Sequence, residues 1–418
     1  MPPKSLFLLC FGAFLLLGQN ATAQTGSELA NALWRDSEIT LHLRSHYLRR
    51  DRSWQEGSLA WAGGGWLAYR SAPMWNTLRL GLTAYSSQKL YAPADKDGAA
   101  LLLAGQHSYS VLGEAYTALI HQEQQVTIGR FLVNQYEVNP QDTRMTPRTF
   151  HGLSLSGKVS GIDYYIARLD KMKSRNWDYF QNVATVAGAP AGLHEPLYLI
   201  SLHGKAAENL ELGFASYRLR NLLTSSHAEA AWLTPIATAT KLRLGGQYFR
   251  QGSTGAHLLT GSPFSTWTAG FKTEVLHGSF SLAAIFMKTG EGAAYRMPFG
   301  SWPGYASRII NNFNRAGERV RAVDASFDAT AIGLPGFQLN GSITLGDHAI
   351  NATTGAGLAR NREDNLTADY RFSAGHWPQW VKPLSLRARL ARFSQKSDHQ
   401  RLVTDEYHFI VKYTTDFK

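Results

Sequence analysis

The last segment of the chain decides the fold. Residues 407–417 read YHFIVKYTTDF, so that the odd positions spell Y-F-V-Y-T-F and the even positions H-I-K-T-D. Side chains of a β-strand point alternately to opposite faces. The segment therefore predicts a strand with one largely apolar face and one wet face.

Four earlier segments repeat this alternation, at residues 39–47, 78–85, 241–248 and 384–390. In the first of them, ITLHLRSHY, Ile, Leu, Leu, Ser and Tyr share one face, and Thr, His, Arg and His share the other. A soluble β-sandwich also alternates, with its polar face outside. A membrane barrel turns apolar residues to lipid and polar residues inward, and it carries aromatic girdles at both interfaces. Because aromatic residues stand at the ends of the apolar faces, the pattern favours the barrel.

The composition agrees with an exported all-β protein. The 418 residues are 44% hydrophobic, 17% charged and 12% aromatic, with a formal net charge of +11, which excludes a disordered or coiled-coil chain. Lys4, the apolar residues 6–17 and the small residues around Ala23 predict a signal peptide over residues 1–23. Cys10 is the single cysteine, so the mature chain is predicted to hold no thiol and no disulfide.

The remaining residues, 24–418, are predicted to form a single domain. After Ala23 no run approaches the roughly 18 apolar residues that a spanning helix requires. Strand-like alternation begins at Ile39, which leaves no room for an N-terminal plug domain. Short connections alternate with longer loops, at residues 71–76, 121–125 and 206–209 against residues 91–98, 130–152, 177–196 and 290–318. Short turns on one side and long loops on the other are typical of an outer-membrane barrel.

Several segments in chain order carry a family likeness. The most specific are VTIGR at 126–130, NPQDTRMTPRTFHG at 139–152, and ARLDKMKSRN at 167–176. Further matches lie within residues 37–51, 64–69, 161–163, 312–318, 333–337 and 405–413. Together these segments resemble the OprD-type outer-membrane porins of Gram-negative bacteria. The resemblance implies a transmembrane antiparallel β-barrel of about 18 strands, constricted by inward-folded loops, that lets small water-soluble molecules diffuse passively and selectively.

Basic side chains lie on the polar faces of the predicted strands. Period two places there Arg44, Arg79, Arg243, Arg387, Arg389, His408 and Lys412. A column of such groups in a narrow interior raises the local concentration of anions. By resemblance the family's column of pore-lining basic residues, its basic ladder, corresponds to Arg44, Arg144, Arg387 and Arg389, and His408 stands where an arginine is expected. The alternative is that these arginines balance acidic neighbours or hydrate the wall.

The segment from Phe131 to Phe150 is too long for a hairpin turn. It contains Pro147, which fixes φ and discourages a further strand. By resemblance it is the loop that bends inward and narrows the passage, with Asp142 and Arg144 as opposite charges at its edge. The alternative is that Asp142 and Arg144 belong to a surface turn.

Residues 297–308 resemble a second constriction element. Tyr305 and Ser307 would supply neutral hydrogen-bonding groups there. Asn311 and Asn312 stand where an acidic residue is expected, which weakens the case for a negatively charged selectivity site.

Catalytic motifs are not evident in the sequence. The serine of GSWPG, residues 300–304, stands one place too early for a nucleophile elbow, and GAGLAR, residues 355–360, lacks the third glycine of a dinucleotide loop. We predict no enzyme, no cofactor, no metal and no nucleic-acid partner. The alternatives are a secreted β-sandwich binding module and an outer-membrane hydrolase.

The predicted partners follow from the barrel assignment. They are small solutes (carboxylates, amino acids or related anions), outer-membrane lipids, and the barrel-assembly machinery. Barrel proteins commonly carry an aromatic residue near the last position for that machinery, and here Phe417 is penultimate. The sequence leaves open whether the chain is a monomer or a loose trimer.

Overall fold

A computed structural model describes residues 26–396 and 400–417. Its strands are β1 (Glu38–Arg52), β2 (Ser58–Arg70), β3 (Leu78–Tyr91), β4 (Tyr109–His121), β5 (Gln124–Phe131), β6 (Thr149–Val159), β7 (Ile162–Lys173), β8 (Gln181–Asn182), β9 (Leu197–Ala207), β10 (Leu210–Leu219), β11 (Leu223–Ala237), β12 (Thr240–Ser253), β13 (Ser265–His277), β14 (Phe280–Thr289), β15 (Arg319–Asp328), β16 (Phe337–Asp347), β17 (Arg360–Arg371), β18 (Leu384–Lys396) and β19 (Arg401–Phe417). The predicted signal peptide, residues 1–23, lies outside the described residues.

The helical elements are short. They are α1 (Gly26–Ala30), a π-helical turn (Asn31–Arg35), α2 (Val183–Val186) and three 3₁₀ turns (Ala94–Lys96, Ala329–Ile332 and Phe372–Ala374). None of the helices in the described part of the chain is long and apolar enough to cross a membrane.

Eighteen of the described strands close into one antiparallel barrel. Each wall strand pairs with its neighbours in chain order, and β19 pairs with β1 to complete the cylinder. The two-residue strand β8 pairs with β7 without joining the wall. The predicted all-β barrel of about 18 strands is confirmed, and a sheet closed on itself excludes the two-sheet sandwich considered as an alternative.

The two faces of the wall follow the alternation seen in the sequence. On β1, Leu43 is 47% exposed and Arg44 3% exposed; on β19, Phe409 is 51% exposed and His408 5% exposed. Apolar residues therefore point out and polar residues point into the barrel. On β19 the outward aromatic residues run from Phe417 to Tyr407, which spans about 25 Å along the barrel axis for ten residues of a tilted strand, the height of an outer-membrane apolar band.

The connections differ between the two ends of the barrel. At one end the turns include residues 122–123, 160–161, 208–209, 238–239 and 278–279. At the other end the loops include residues 92–108, 132–148, 174–196 and 290–318. The first wall strand begins and the last one ends at the short-turn end. Outer-membrane barrels place short turns in the periplasm and long loops outside the cell.

The pairing of β1 with β19, which we call the seam, is lined on the inside by polar contacts. Thr40 Oγ1 donates to Asp416 Oδ1 at 2.6 Å, and His42 Nδ1 lies 2.7 Å from Thr414 Oγ1. Nearer the long-loop end, His46 Nε2 lies 3.0 Å from His408 Nδ1, and Arg50 Nε donates to Glu406 Oε2 at 2.5 Å. Each of these pairs joins the first strand to the last.

Candidate functional site

The first constriction loop, residues 132–148, folds into the barrel. Val133 and Met145 have no exposed surface. Lys173, on the inner side of β7, donates from Nζ to the Thr146 hydroxyl at 3.1 Å and to the Pro147 carbonyl at 3.0 Å. A buried ammonium group that donates to the loop fixes the end of the loop against the wall. The predicted inward fold of this loop is confirmed.

Arg44 connects the wall to this loop. Its Nη1 and Nη2 donate to Oδ1 and Oδ2 of Asp142 at 2.6 and 2.7 Å, a bidentate pair, and Nη1 also donates to the carbonyl of Arg144. The guanidinium carbon lies 5.3 Å from the centre of the Trp66 ring. Burial favours a higher pKa for Asp142, but the hydrogen bonds and charge of Arg44 outweigh burial and hold the pKa below its ordinary value.

Asp142 and Arg144 therefore have different surroundings. Asp142 meets a wall arginine and keeps 35% of its side chain exposed. The guanidinium group of Arg144 donates to the backbone carbonyls of Ala99, at 3.0 Å, and Thr143, at 2.9 Å. The structure thus joins Asp142 to Arg44 and not to Arg144.

The second constriction loop, residues 290–318, packs against the first. Asn139 accepts from the Ser301 amide at 2.8 Å and donates to the Ser301 carbonyl at 3.1 Å. Between these contacts, a Cβ atom at Gly300 would lie 2.6 Å from the Glu137 carbonyl oxygen, so a residue with a side chain does not fit there. Buried aromatic residues of this loop, Phe299 and Trp302 among them, fill the space beside the wall. The two loops form one assembly.

Glu137 is the buried carboxyl group of this assembly. Its Oε1 accepts from the Tyr295 hydroxyl at 2.6 Å, and its Oε2 accepts from the Ser225 hydroxyl at 3.0 Å. One side chain thus ties the first loop to the second loop and to β11. Burial raises the pKa of Glu137 to about 7, and the hydrogen bonds from Tyr295 and Ser225 offset only part of that effect. Sequence reasoning missed Glu137, because an acid in a long loop carries no periodic signal.

The far end of the second loop is held by carboxylates of the wall. Glu363, on β17, accepts from the backbone amides of Ile310 at 3.0 Å and Asn311 at 2.8 Å. Arg308 donates to Asp324, on β15, at 2.7 Å. Acidic groups therefore stand beside the loop although the loop itself carries asparagine there. Their inward direction could have been read from the alternation on β15 and β17.

The two predicted neutral groups lie in the same loop. The backbone amide of Tyr305 donates to Gln247 at 3.2 Å, and its ring centre lies 5.5 Å from the ammonium nitrogen of Lys272. The Ser307 hydroxyl donates to the side-chain oxygen of Asn312 at 3.1 Å. Tyr305 therefore faces the wall charges, while Ser307 stabilises the loop's own turn.

The basic residues of the wall fall into two groups. Three of the arginines predicted from periodicity have an acidic partner: Arg44 with Asp142, Arg243 with Glu274 at 2.8 Å, and Arg387 with Asp369 at 2.5 Å. These three arginines therefore balance acidic neighbours, as the alternative to a pore-lining role described. For Arg79, Arg389 and Lys412, no acidic group of the described residues lies within the 4.0 Å of an ion pair.

His408 belongs to a buried network at the seam. Its Nε2 lies 2.6 Å from Glu406 Oε1, and its other ring nitrogen lies near His46. Glu406 in turn accepts from Arg50 at 2.5 Å. With only 5% of its surface exposed, His408 contacts the wall more than the open interior.

A cavity of about 360 Å³ opens beside the second loop. Charged groups of both signs line it: Lys272, Glu274, Arg308, Asp324 and Arg389. Across the described residues, no three His, Cys, Asp or Glu side chains come together as a metal site would require. Lys272 pairs with Glu274 at 3.5 Å and Arg308 with Asp324 at 2.7 Å, so Arg389 is the charged group of this cavity that has no acidic partner among the described residues.

A closed barrel with two inward loops matches a known family of channels. The family model for OprD, described as outer membrane porin, OprD family, matches residues 31–417. The chain belongs to the OprD family. As a member it is an integral porin of the bacterial outer membrane, and the resemblance seen in the sequence is confirmed.

Solved structures agree with this assignment. OccK9 (OpdG) of Pseudomonas aeruginosa matches with a TM-score of 0.80 and 22% identity, over 92% of this chain and 100% of that one. OccAB2 of Acinetobacter baumannii matches with a TM-score of 0.82 and 20% identity, over 93% and 100%. OpdK of Pseudomonas aeruginosa, solved with vanillate, matches with a TM-score of 0.77 and 19% identity, over 92% and 99%. No curated protein sequence matches the chain significantly.

Proposed function

We propose that this OprD-family porin passes small hydrophilic solutes by passive diffusion and prefers those with a carboxylate, amino acids included. The observation that carries the proposal is the position of Arg389 and Lys412 on inward faces, without an acidic partner among the described residues. These two charges, in contrast to Arg44 and Arg387, are free to meet a solute.

Arg389 and Lys412 lie close enough to each other to attract the same solute. Arg389 lies opposite His408 across β18 and β19, and Lys412 lies four residues from His408 on β19. Two positions four apart on a strand are about 13 Å from each other. A carboxylate midway between them lies about 6–7 Å from each, within the screening length of ~8 Å at physiological salt, and is therefore attracted by both. Guanidinium and ammonium groups both bind carboxylates, and arginine does so bidentately.

The acidic side of the cavity favours amino acids among the carboxylates. Asp324 and Glu274 lie in the same cavity as Arg389. An α-ammonium group next to Asp324 would allow the carboxylate of the same solute to approach a cationic group. Vanillate, present in the structure of OpdK, is a carboxylate without an ammonium group and is therefore an informative comparison solute.

The test replaces the two unpaired charges. Arg389→Gln with Lys412→Gln keeps polar side chains of similar length and removes both charges. Anion preference, read as the reversal potential in a KCl gradient across a planar bilayer, should fall, and uptake of glutamate and vanillate into proteoliposomes should slow, more at 50 mM than at 500 mM salt. The matched control is Arg321→Gln, an outward residue with 65% of its side chain exposed.

Unchanged reversal potential and carboxylate flux in the double variant would refute the proposal. Selectivity would then belong to the pairs that fix the loops, above all Arg44 with Asp142. Retained heat-modifiable migration on gels shows that the variant still folds.

We propose further that the protein is a channel and not an enzyme, and that the barrel-assembly machinery and lipids of the outer membrane are its partners. Assays of the purified barrel against ester substrates test the hydrolase alternative.

Protein expressed with residues 1–23 should appear in the outer-membrane fraction, and recovery in the soluble periplasmic fraction would contradict that assignment. Cross-linking in native membranes separates a monomer from a loose trimer.

A further inference from the structure

Charged side chains on the outward face of the wall lie at the long-loop end. On β1 and β15–β19 they are Arg49, Asp51, Arg319, Arg321, Asp347, Arg360, Arg362, Asp364, Arg392, Lys396, Arg401 and Asp405. Toward the other end the outward strand residues are apolar or aromatic, as at Leu67, 52% exposed, and Phe280, 61% exposed. The outward charges therefore face the region just outside the cell surface of the membrane.

Two rows of these residues differ in sign pattern. In the row nearer the membrane, Asp364 lies opposite Arg392, and Arg392 lies opposite Asp405. The signs alternate, and Arg392 donates to Asp405 at 2.7 and 3.0 Å. Opposite charges on facing strand positions stabilise a sheet, so this row is satisfied by the protein itself.

The outermost row, which is separated from the first by Arg362, Ser394 and Val403, repeats one sign. Arg360 lies opposite Lys396, and Lys396 lies opposite Arg401; all three are exposed. Side chains directly opposite each other have Cβ atoms about 5 Å apart, and like charges there destabilise the sheet. Among the residues that the structure describes, no carboxylate lies within ion-pair distance of the three.

Arg360, Lys396 and Arg401, which we call the basic row, lie at a distance from the membrane that determines which anions can reach them. Tyr407 is the last outward aromatic residue of β19, and Arg401 lies six residues beyond it. Six residues of a tilted strand cover about 15 Å along the barrel axis. The headgroup layer of an ordinary phospholipid is only about 5–8 Å deep on each side. A phosphate that meets the basic row must therefore belong to a lipid with a taller headgroup.

We propose that Arg360, Lys396 and Arg401 bind the phosphorylated saccharide headgroup of a glycolipid in the outer leaflet. Phosphate oxygens accept bidentate hydrogen bonds from guanidinium groups and single ones from the lysine between them. The bound polyanion neutralises the three like charges and so stabilises the hairpin of β18 and β19. This site is separate from the passage for solutes, because its residues point away from the interior.

The test measures lipid binding to the purified full-length barrel. Rough-type lipopolysaccharide is titrated in detergent at 50 mM salt against the wild type and the variant Arg360→Gln, Lys396→Gln, Arg401→Gln. We expect the variant to bind at least tenfold more weakly, and the difference to shrink at 500 mM salt because phosphate contacts are screened. The matched control removes three basic charges at the short-turn end: Lys158→Gln, Lys205→Gln, Lys241→Gln. It should change binding less than twofold.

Further binding and competition measurements identify the chemical group that is bound. Dephosphorylated lipopolysaccharide should bind wild type and variant equally weakly, and neither inorganic phosphate nor phosphatidylglycerol should compete with the intact glycolipid. Equal binding by wild type and triple variant, equal loss in the control, or full competition by phosphatidylglycerol would each overturn the proposal. If the triple variant does not migrate as a folded barrel, Lys396→Gln alone replaces it, with an expected weakening of two- to threefold.

Discussion

The substitution Glu137→Gln should remove the pH dependence with which the two constriction loops are held to the wall. Glu137 is 4% exposed and holds the first loop to Tyr295 and Ser225, and its pKa is raised from 4.5 to about 7 by burial. A raised pKa means that the folded state prefers the protonated group. The stabilisation is therefore complete below about pH 4.5 and is lost as the pH rises past about 7.

The size of the effect follows from the pKa difference. At 1.36 kcal/mol for each unit, ionisation in the folded state costs about 3 kcal/mol. This cost falls on the attachment of the loops rather than on the barrel, because the bonds of Glu137 join the two loops to β11. At pH 8 the loops should therefore detach more often than at pH 5.

Single-channel recordings at both pH values provide the assay. The wild type should show more frequent conductance fluctuations at pH 8 than at pH 5. Glu137→Gln keeps the shape and an acceptor oxygen for Tyr295, and it should fluctuate equally at both values. Glu208→Gln, at an exposed turn, is the control for general effects of charge removal and should behave like the wild type. A pH dependence of wild-type size in Glu137→Gln would refute the reasoning.

Four further substitutions test the two faces of the wall and the charged contacts of the loops. Val411→Arg, on the outward face of the last strand, should lower the free energy of unfolding in lipid by roughly 2–4 kcal/mol, whereas Lys412→Ala, on the inward face, should leave it nearly unchanged; equal effects in urea titrations would mean a wrong register. Glu363→Ala leaves the two loop amides that it accepts from without a partner, at about 1–3 kcal/mol each, and should raise the current noise of open channels. Asp142→Asn leaves the Arg44 charge unbalanced, so the reversal potential should shift toward anion preference, and a shift toward cations would contradict the pairing.

The direction of each strand side chain was readable from the sequence, and the partner of each was not. Alternation on β1 placed Arg44 inward correctly. Its partner Asp142 stands 98 positions away in a loop, and no period links a strand to a loop that folds across the interior. The same holds for Glu137, whose partners Ser225 and Tyr295 lie 88 and 158 positions from it.

Comparing this loop with the family residue by residue weakened the case for a negatively charged site, and this shows a limit of such comparison. The sequence has asparagine at 311 and 312, which argued against a negative group at that loop. The wall supplies Glu363 and Asp324 there instead. Matching along the chain compares residues of one loop at a time, whereas the interior of a barrel is built from residues of many strands at the same height.

The seam also has a consequence for how the barrel is assembled. Its fourteen registered pairs run from Ile39 with Phe417 to Arg52 with Thr404, so the first strand cannot find its partner until the last has been synthesised and delivered. Other wall strands pair with neighbours in chain order, and the entropy of closing their short loops is small by comparison. Closure is thus a late and slow step, during which both edges expose unpaired backbone. A slip of one residue would point His46 and Arg50 at the lipid, so the polar contacts across the seam select the correct register at the moment of closure.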